Sequence, residues 1–241
     1  MAKPSTIAID GTAASGKSTV GARLADWLGY LYFDTGVMYR AVTWAVLDRG
    51  IAVDDIEAVS RLAENLVIEV KTGGPQDGRQ VTVLADGQDV TWEIRSPEVE
   101  AAIGQVSAYA RVRAALIAQQ RGLAAAGSMV MVGRDIGTVV LPQADLKLFL
   151  RASAEERARR RCEERLAQGQ PANYVQILAA IRERDRQDEQ KPISPLIPAA
   201  EAVIIDTDGL SIDEVLAQIQ QLISRRPGGV QDQVSVDPNL P

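Results

Sequence analysis

The segment Gly11-Thr12-Ala13-Ala14-Ser15-Gly16-Lys17-Ser18 constrains this chain more than any other. It matches the pattern G-x-x-x-x-G-K-[ST]. It follows an apolar run, Thr6-Ile7-Ala8-Ile9-Asp10, and precedes a helical pattern with Val20, Leu24, Trp27 and Leu28 on one face. Strand, glycine loop and helix in that order make a phosphate cradle. The glycines let backbone N–H groups wrap a phosphate, and the helix adds its positive end. Lys17 then reaches the β- and γ-phosphates, and the Ser18 hydroxyl is the expected Mg²⁺ ligand. The expected nucleotide contacts run from Gly11 through Thr19. The loop implies a nucleoside triphosphate site and leaves the receiving group open, since GTPases, ATPases and small-molecule kinases share it.

Four more short apolar runs follow: Tyr30–Phe33, Met129–Val132, Leu146–Leu150 and Val203–Ile205. They alternate with helical patterns and lack the polar alternation of a half-solvated sheet. The fold class is therefore α/β, a five-stranded parallel sheet with helices on both faces. Ser153 with Glu156, and Ser211 with Glu214, predict capping boxes before two helices. The second of these helices carries Ile212, Val215, Leu216, Ile219, Leu222 and Ile223 at a 3.6 period. In such sheets ligands lie beyond the carboxyl ends of the strands. Gly11 to Ser18, Asp34-Thr35, Gly133-Arg134-Asp135 and Asp206-Thr207 all fall there.

One stretch departs from the alternation. Val67–Val70, Gln80–Leu84 and Gln88–Val90 are β-type runs separated by Gly73-Gly74-Pro75 and Asp86-Gly87. They predict a small antiparallel insert at about 67–90. The expected organisation is a core formed by residues 1–35, 110–152 and 196–226, a region 36–109 carrying the insert, a charged hairpin 153–195 and a disordered tail 227–241.

Composition narrows the chemistry. The 241 residues include no histidine, which removes the commonest general base and metal ligand. The single cysteine, Cys162, allows no intrachain disulfide and fits a reducing compartment. The net charge of −6 argues against a nucleic-acid polymer as partner. No apolar run approaches the roughly 20 residues needed to cross a bilayer. With no room for a signal peptide before Gly11, the expected location is the cytoplasm, away from membranes. Arginines outnumber lysines twenty-one to five, and their planar forks suit phosphate.

A kinase needs a second anion site facing the loop. Arg40, Arg113 and Arg134 sit where the chain layout places one. Arg134 and Asp135 form a charged pair embedded between apolar runs, which marks that strand end as functional. A nucleoside monophosphate fits the missing base: with a second phosphate pKa near about 6 it is mostly dianionic and attacks as it stands.

The blocks Ile9-Asp10-Gly11 with the loop, Asp34-Thr35-Gly36-x-Met38-Tyr39-Arg40, Val112-Arg113, Gly133-Arg134-Asp135-Ile136-Gly137-Thr138-Val139-Val140 and Arg184-Asp185-x-x-Asp188 resemble bacterial cytidylate kinases. The match runs in order over about residues 5–223. The resemblance implies ATP and Mg²⁺ as cofactors, CMP and dCMP as small-molecule substrates, and a monomer. It assigns Thr35, Arg40 and Arg134 to the CMP phosphate, Arg113 and Asp135 to the cytosine, and Arg184 and Asp188 to the sugar. An aspartate suits cytosine because it accepts from the N4 amino group, which uracil lacks.

Gly104 stands where the family often has a serine near the base, Val132 where an acidic residue often precedes Gly-Arg-Asp, and Lys191 where an arginine is usual. Asp34 and Asp10 are the alternative carboxylates near the metal.

Arg157, Arg160 and Arg161 share the helix after Ser153, with Arg157 and Arg161 four apart on one side. This hairpin reads either as a solvated, salt-bridged surface or as a lid that carries arginines to the transferred phosphoryl group. On the lid reading Lys17, Arg134, Arg157 and Arg161 are catalytic, the tip is Gly169-Gln170-Pro171, and the hinges lie near Ala152 and Pro192–Pro195. Alternatives at this point are a kinase for adenylate, shikimate or dephospho-coenzyme A, a nucleotide-regulated switch, or a non-catalytic nucleotide-binding module. Against a GTPase, no Asn-Lys-x-Asp sequence is present.

Overall fold

A computed structural model describes residues 3–72, 75, 77–79, 81–190 and 194–225. The Gly73-Gly74 turn, Gln80, Lys191, the Pro192 hinge and the tail 227–241 lie outside the described residues. In chain order the elements are β1 (Thr6–Gly11), α1 (Lys17–Leu28), β2 (Leu31–Asp34), α2 (Gly36–Asp48), α3 (Ile56–Asn65), β3 (Ile68–Thr72), β4 (Val81–Ala85) and β5 (Gln88–Asp89). Then come α4 (Pro97–Val106), α5 (Ala110–Ala124), β6 (Met129–Val132), β7 (Leu146–Arg151), α6 (Ala154–Ala167), α7 (Tyr174–Glu189), β8 (Val203–Asp206) and α8 (Ile212–Arg225).

The main sheet has the order β2-β6-β1-β7-β8, and its strand pairs are all parallel. Successive residues of a strand point to opposite faces, and here both faces are covered. Ala8, Phe33 and Met131 pack under α2, α3 and α5, while Ile7, Ile9, Val130 and Val132 pack under α1 and α8. That is why these strands read as unbroken apolar runs. The α/β expectation with a five-stranded parallel sheet holds. The insert forms a separate antiparallel sheet, β3-β4-β5, which packs its Val81, Val83 and Ala85 against the same core as α2. Among the described residues, no helix is long and apolar enough to cross a membrane.

Several local expectations need correction. Trp27 is 44% exposed rather than on the buried face of α1, with the Lys3 ammonium 5.9 Å from its ring centroid. The Ser211/Glu214 box forms both ways, Ser211 N donating to Glu214 Oε2 at 2.8 Å and Glu214 N to Ser211 Oγ at 3.2 Å. At Ser153 only half forms. Glu156 N donates to Ser153 Oγ at 3.1 Å, but Ser153 N turns to Asp208 Oδ1, and Glu156 serves Arg159 and Arg160 instead. The segment Ile136–Val140 closes into a π-type turn that periodicity does not foreshadow.

Candidate active site

The phosphate loop hangs between the centre strand and α1. Gly11 ends β1 at φ +150°, and a Cβ there would lie 2.1 Å from the Leu150 carbonyl oxygen, so only glycine lets β1 and β7 approach. Gly16 (φ +88°) opens α1, and no side chain caps that helix. Its first N–H groups and its positive end are thus left for an anion. The Thr12 and Ser15 hydroxyls are buried in the loop with no hydrogen-bond partner among the described residues. Lys17 Nζ folds back to donate to the Thr12 carbonyl at 2.8 Å. Burial and the nearby Arg134 charge push the Lys17 ammonium down to about 7. The cradle therefore has donors, a buried lysine bonded to a backbone carbonyl, and buried hydroxyls, the inventory a triphosphate satisfies.

At the carboxyl end of β2, Asp34 divides its oxygens. Oδ2 accepts from Ser18 Oγ at 2.9 Å and Oδ1 from Gly36 N at 2.9 Å. The Ser18 hydroxyl is thereby oriented, its proton committed to Asp34. Asp10 is differently engaged. Its two oxygens accept from the backbone N–H of Ile136 and Gly137 at 2.7 Å each. Burial holds its carboxyl up at about 6 against those two bonds.

The Asp10 contacts anchor the turn that presents Arg134 and Asp135 at the end of β6. Gly133 leaves room for Thr35, because a Cβ at 133 would come within 2.6 Å of Thr35 Oγ1. Thr35 Oγ1 donates to the Val132 carbonyl at 3.1 Å. Position 132 thus serves through its backbone, and the carboxylate near Ser18 comes from Asp34 instead.

Arg113 and Asp135, both buried, pair directly. Arg113 also donates to Ser194 Oγ at 2.8 Å and lies 5.8 Å from the Tyr39 ring centroid. Arg134 pairs with Asp188. Burial and then the Arg184 charge push the Arg134 guanidinium down to about 10. Arg40 pairs with Glu100 and donates to the Ile94 carbonyl at 3.3 Å. Arg184 meets the other oxygen of the same Glu100 at 2.8 Å. A Cβ at Gly104 would meet nothing within 4 Å, and Ser107 Oγ donates back to the Gly104 carbonyl at 3.2 Å.

In the α6–α7 hairpin, Arg157 is buried and forms a two-pronged pair with Asp185 at 2.9 and 2.5 Å. It also donates to the carbonyls of Ala13 at 3.2 Å and Ala152 at 3.0 Å, tying the hairpin to the loop. Arg160 donates to the Thr207 carbonyl at 2.5 Å, and Thr207 reaches the Ser15 carbonyl. Arg161 turns outward, its side chain 52% exposed, 3.8 Å from Glu164. So Lys17, Arg134, Arg184, Arg40 and Arg157 gather near the loop while Arg161 stays on the solvent side. Glu100, Asp185, Arg160 and Thr207 also belong to this constellation. Their partners are 28 to 192 residues distant in sequence, beyond the reach of local spacing.

The cytidylate kinase family model matches residues 7–225. The chain belongs to the cytidylate kinase family. The cytidylate kinase of Chloroflexus aggregans is 52% identical over 219 residues, covering 91% of this chain and 94% of that protein. The cytidylate kinase of Herpetosiphon aurantiacus is 48% identical over 223 residues, covering 92% and 96%. The bifunctional pantoate ligase/cytidylate kinase of Synechococcus sp. (strain JA-3-3Ab) is 47% identical over 216 residues, covering 90% of this chain and 40% of that protein. Within this cytidylate kinase family chain, the matched span runs from Ile7 in β1 to the end of α8.

Proposed function

We propose that the protein transfers the γ-phosphoryl group of ATP to the phosphate of CMP, giving CDP and ADP, with dCMP also accepted. Family membership supports a cytidylate acceptor. The observation that carries the mechanism is the gathering of Lys17, Arg134, Arg184 and Arg40 beyond the strand ends, where Lys17 and Arg134 are each depressed by burial and by a neighbouring cation. Cations crowded at such cost suit two polyanions set end to end.

An oxygen of the CMP phosphate attacks the γ-phosphorus in line, and the bond to the β-phosphate oxygen breaks. The acceptor is already a dianion near neutral pH, so no proton need be removed first. In this reading Thr35, Arg40 and Arg134 hold the acceptor phosphate, and Lys17 with the loop amides from Gly11 to Thr19 holds the donor. Arg113 and Asp135 read the cytosine edge, Asp135 accepting from N4. Arg184 and Asp188 hold the sugar. Arg157 reaches the transferred group when the 153–195 hairpin closes as a lid, and Arg161 joins it if closure turns α6 inward. Mg²⁺ bound at the Ser18 hydroxyl would neutralise charge on the β- and γ-phosphate oxygens. Asp34 is the carboxylate that orients Ser18, since both Asp10 oxygens are occupied by backbone N–H groups.

A coupled assay of ATP against CMP, dCMP, UMP and AMP tests the reading. CMP is expected to give the highest kcat/KM, with dCMP next. A preference for AMP, or no transfer to CMP, would overturn it.

A further inference from the structure

Glu100, in the first turns of α4, has no counterpart in the sequence motifs, yet it occupies the middle of the acceptor side. One carboxylate oxygen pairs with Arg40 of α2 and the other accepts from Arg184 of α7 at 2.8 Å. Burial pushes its carboxyl up, but Arg40 and then Arg184 outweigh that and hold it below the usual range. Arg134 lies within the electrostatic reach of Glu100, Arg40 and Arg184 together. Two guanidinium forks from separate elements therefore converge on one carboxylate at the place where a phosphate-bearing acceptor must enter.

We propose that Glu100 is a carboxylate place-holder for the acceptor: it holds Arg40 and Arg184, the side chains proposed above for the acceptor's phosphate and sugar, and must be displaced when the monophosphate binds. The inference rests on the acceptor site proposed above. A phosphate dianion brings more charge and more acceptor oxygens than a carboxylate, so it wins the Arg40 fork, and the sugar hydroxyls take up Arg184. The two anions cannot share one fork at contact distance without strong repulsion. Glu100 has somewhere to go. It is part-exposed, its side chain at 43%, and it sits near the N-terminus of α4, where a released negative charge is favoured. An ion pair so exposed contributes little to folding stability. The place-holder keeps Arg40 and Arg184 pointed inward before substrate arrives, and it weakens acceptor binding by the cost of displacement.

Glu100→Gln keeps the shape and removes the charge. It is expected to lower KM for CMP about tenfold, the size of a screened unit charge at ion-pair distance, with the effect carried by KM rather than kcat. Glu100→Asp keeps the charge and is expected to hold KM within about threefold of the parent. In parallel, the rise in melting temperature produced by inorganic phosphate alone is expected to be larger for Glu100→Gln than for the parent. A KM for CMP that is unchanged or raised in Glu100→Gln overturns the proposal. If the parent protein fails to phosphorylate CMP, the acceptor reading fails by itself. The phosphate arm still decides the place-holder: a larger shift supports it and an equal or smaller one overturns it.

Discussion

Asp10 accepts the backbone N–H of Gly137 at 2.7 Å, and through this bond and its twin to Ile136 the centre strand holds the turn that carries Arg134 and Asp135. One buried carboxylate thus ties the strand that leads into the phosphate loop to the turn beside Arg134 and Asp135. Its proton affinity is readable in stability. The carboxyl is raised to about 6 in the folded protein from 3.8, so the folded state takes up the proton first as pH falls. Stability attributable to Asp10 therefore rises from pH 7 toward pH 4, by up to about 3 kcal/mol. Asp10→Asn removes that pH dependence. Urea denaturation of both proteins at pH 4.5 and 7 checks this. The parent-minus-variant difference should be larger at the lower pH.

Lys17 carries a linked proton of its own. Its ammonium is depressed to about 7, and bound phosphates would restore the charge. ATP binding at pH 8 is therefore expected to take up close to one proton, and affinity to fall as pH rises above about 7. Calorimetry in two buffers of different ionisation enthalpy measures the uptake. A buffer-independent enthalpy at pH 8 would contradict it. Lys17→Ala is expected to abolish transfer.

Asp135 and Arg113 are buried against each other, so truncating Asp135 to alanine strands a guanidinium and costs about 3–5 kcal/mol. Asp135→Asn keeps the volume and replaces an acceptor-only group with one that can also donate. The preference for CMP over UMP is expected to fall at least about tenfold in this variant, with the loss mainly on the CMP side. Competition between the two acceptors reports the ratio. An unaltered ratio would remove Asp135 from base reading.

Gly133 is tested by a single methyl. Its Cβ would lie 2.6 Å from both Thr35 Oγ1 and Ile136 Cδ1. Gly133→Ala must move the threonine or the turn, and is expected to cost about 1–3 kcal/mol of stability. KM for CMP is expected to rise more than KM for ATP, since the methyl displaces Thr35 and the turn at Ile136, which the proposed function gives to the acceptor. Thermal melts and paired KM measurements check both halves.

Much of this architecture was legible because burial on both sheet faces writes itself as unbroken apolar runs, as in Met129–Val132 and Leu146–Leu150. The phosphate loop was legible because its chemistry depends on consecutive backbone groups. Failures came where distant partners outbid local ones. Ser153 and Glu156 have the spacing of a full box, yet Asp208, 55 residues on, captures Ser153 N. Trp27 stands on the periodic face of α1 but finds its ring partner in Lys3, outside the core. Arg157 and Arg161 share a side by spacing, but the 40° offset between them leaves one buried on Asp185 and the other in solvent. Glu100 was invisible because Arg40 and Arg184 are 60 and 84 residues away.

On the proposed function, donor and acceptor phosphates meet at Arg40 and Arg134. A crystal structure with CMP and a non-hydrolysable ATP analogue tests it most directly. The CMP phosphate is expected in contact with Thr35, Arg40 and Arg134, with the analogue's terminal phosphorus in line with it and the cytosine amino group on Asp135. A CMP phosphate bound elsewhere, with Arg40 and Arg134 still paired to Glu100 and Asp188, would contradict it.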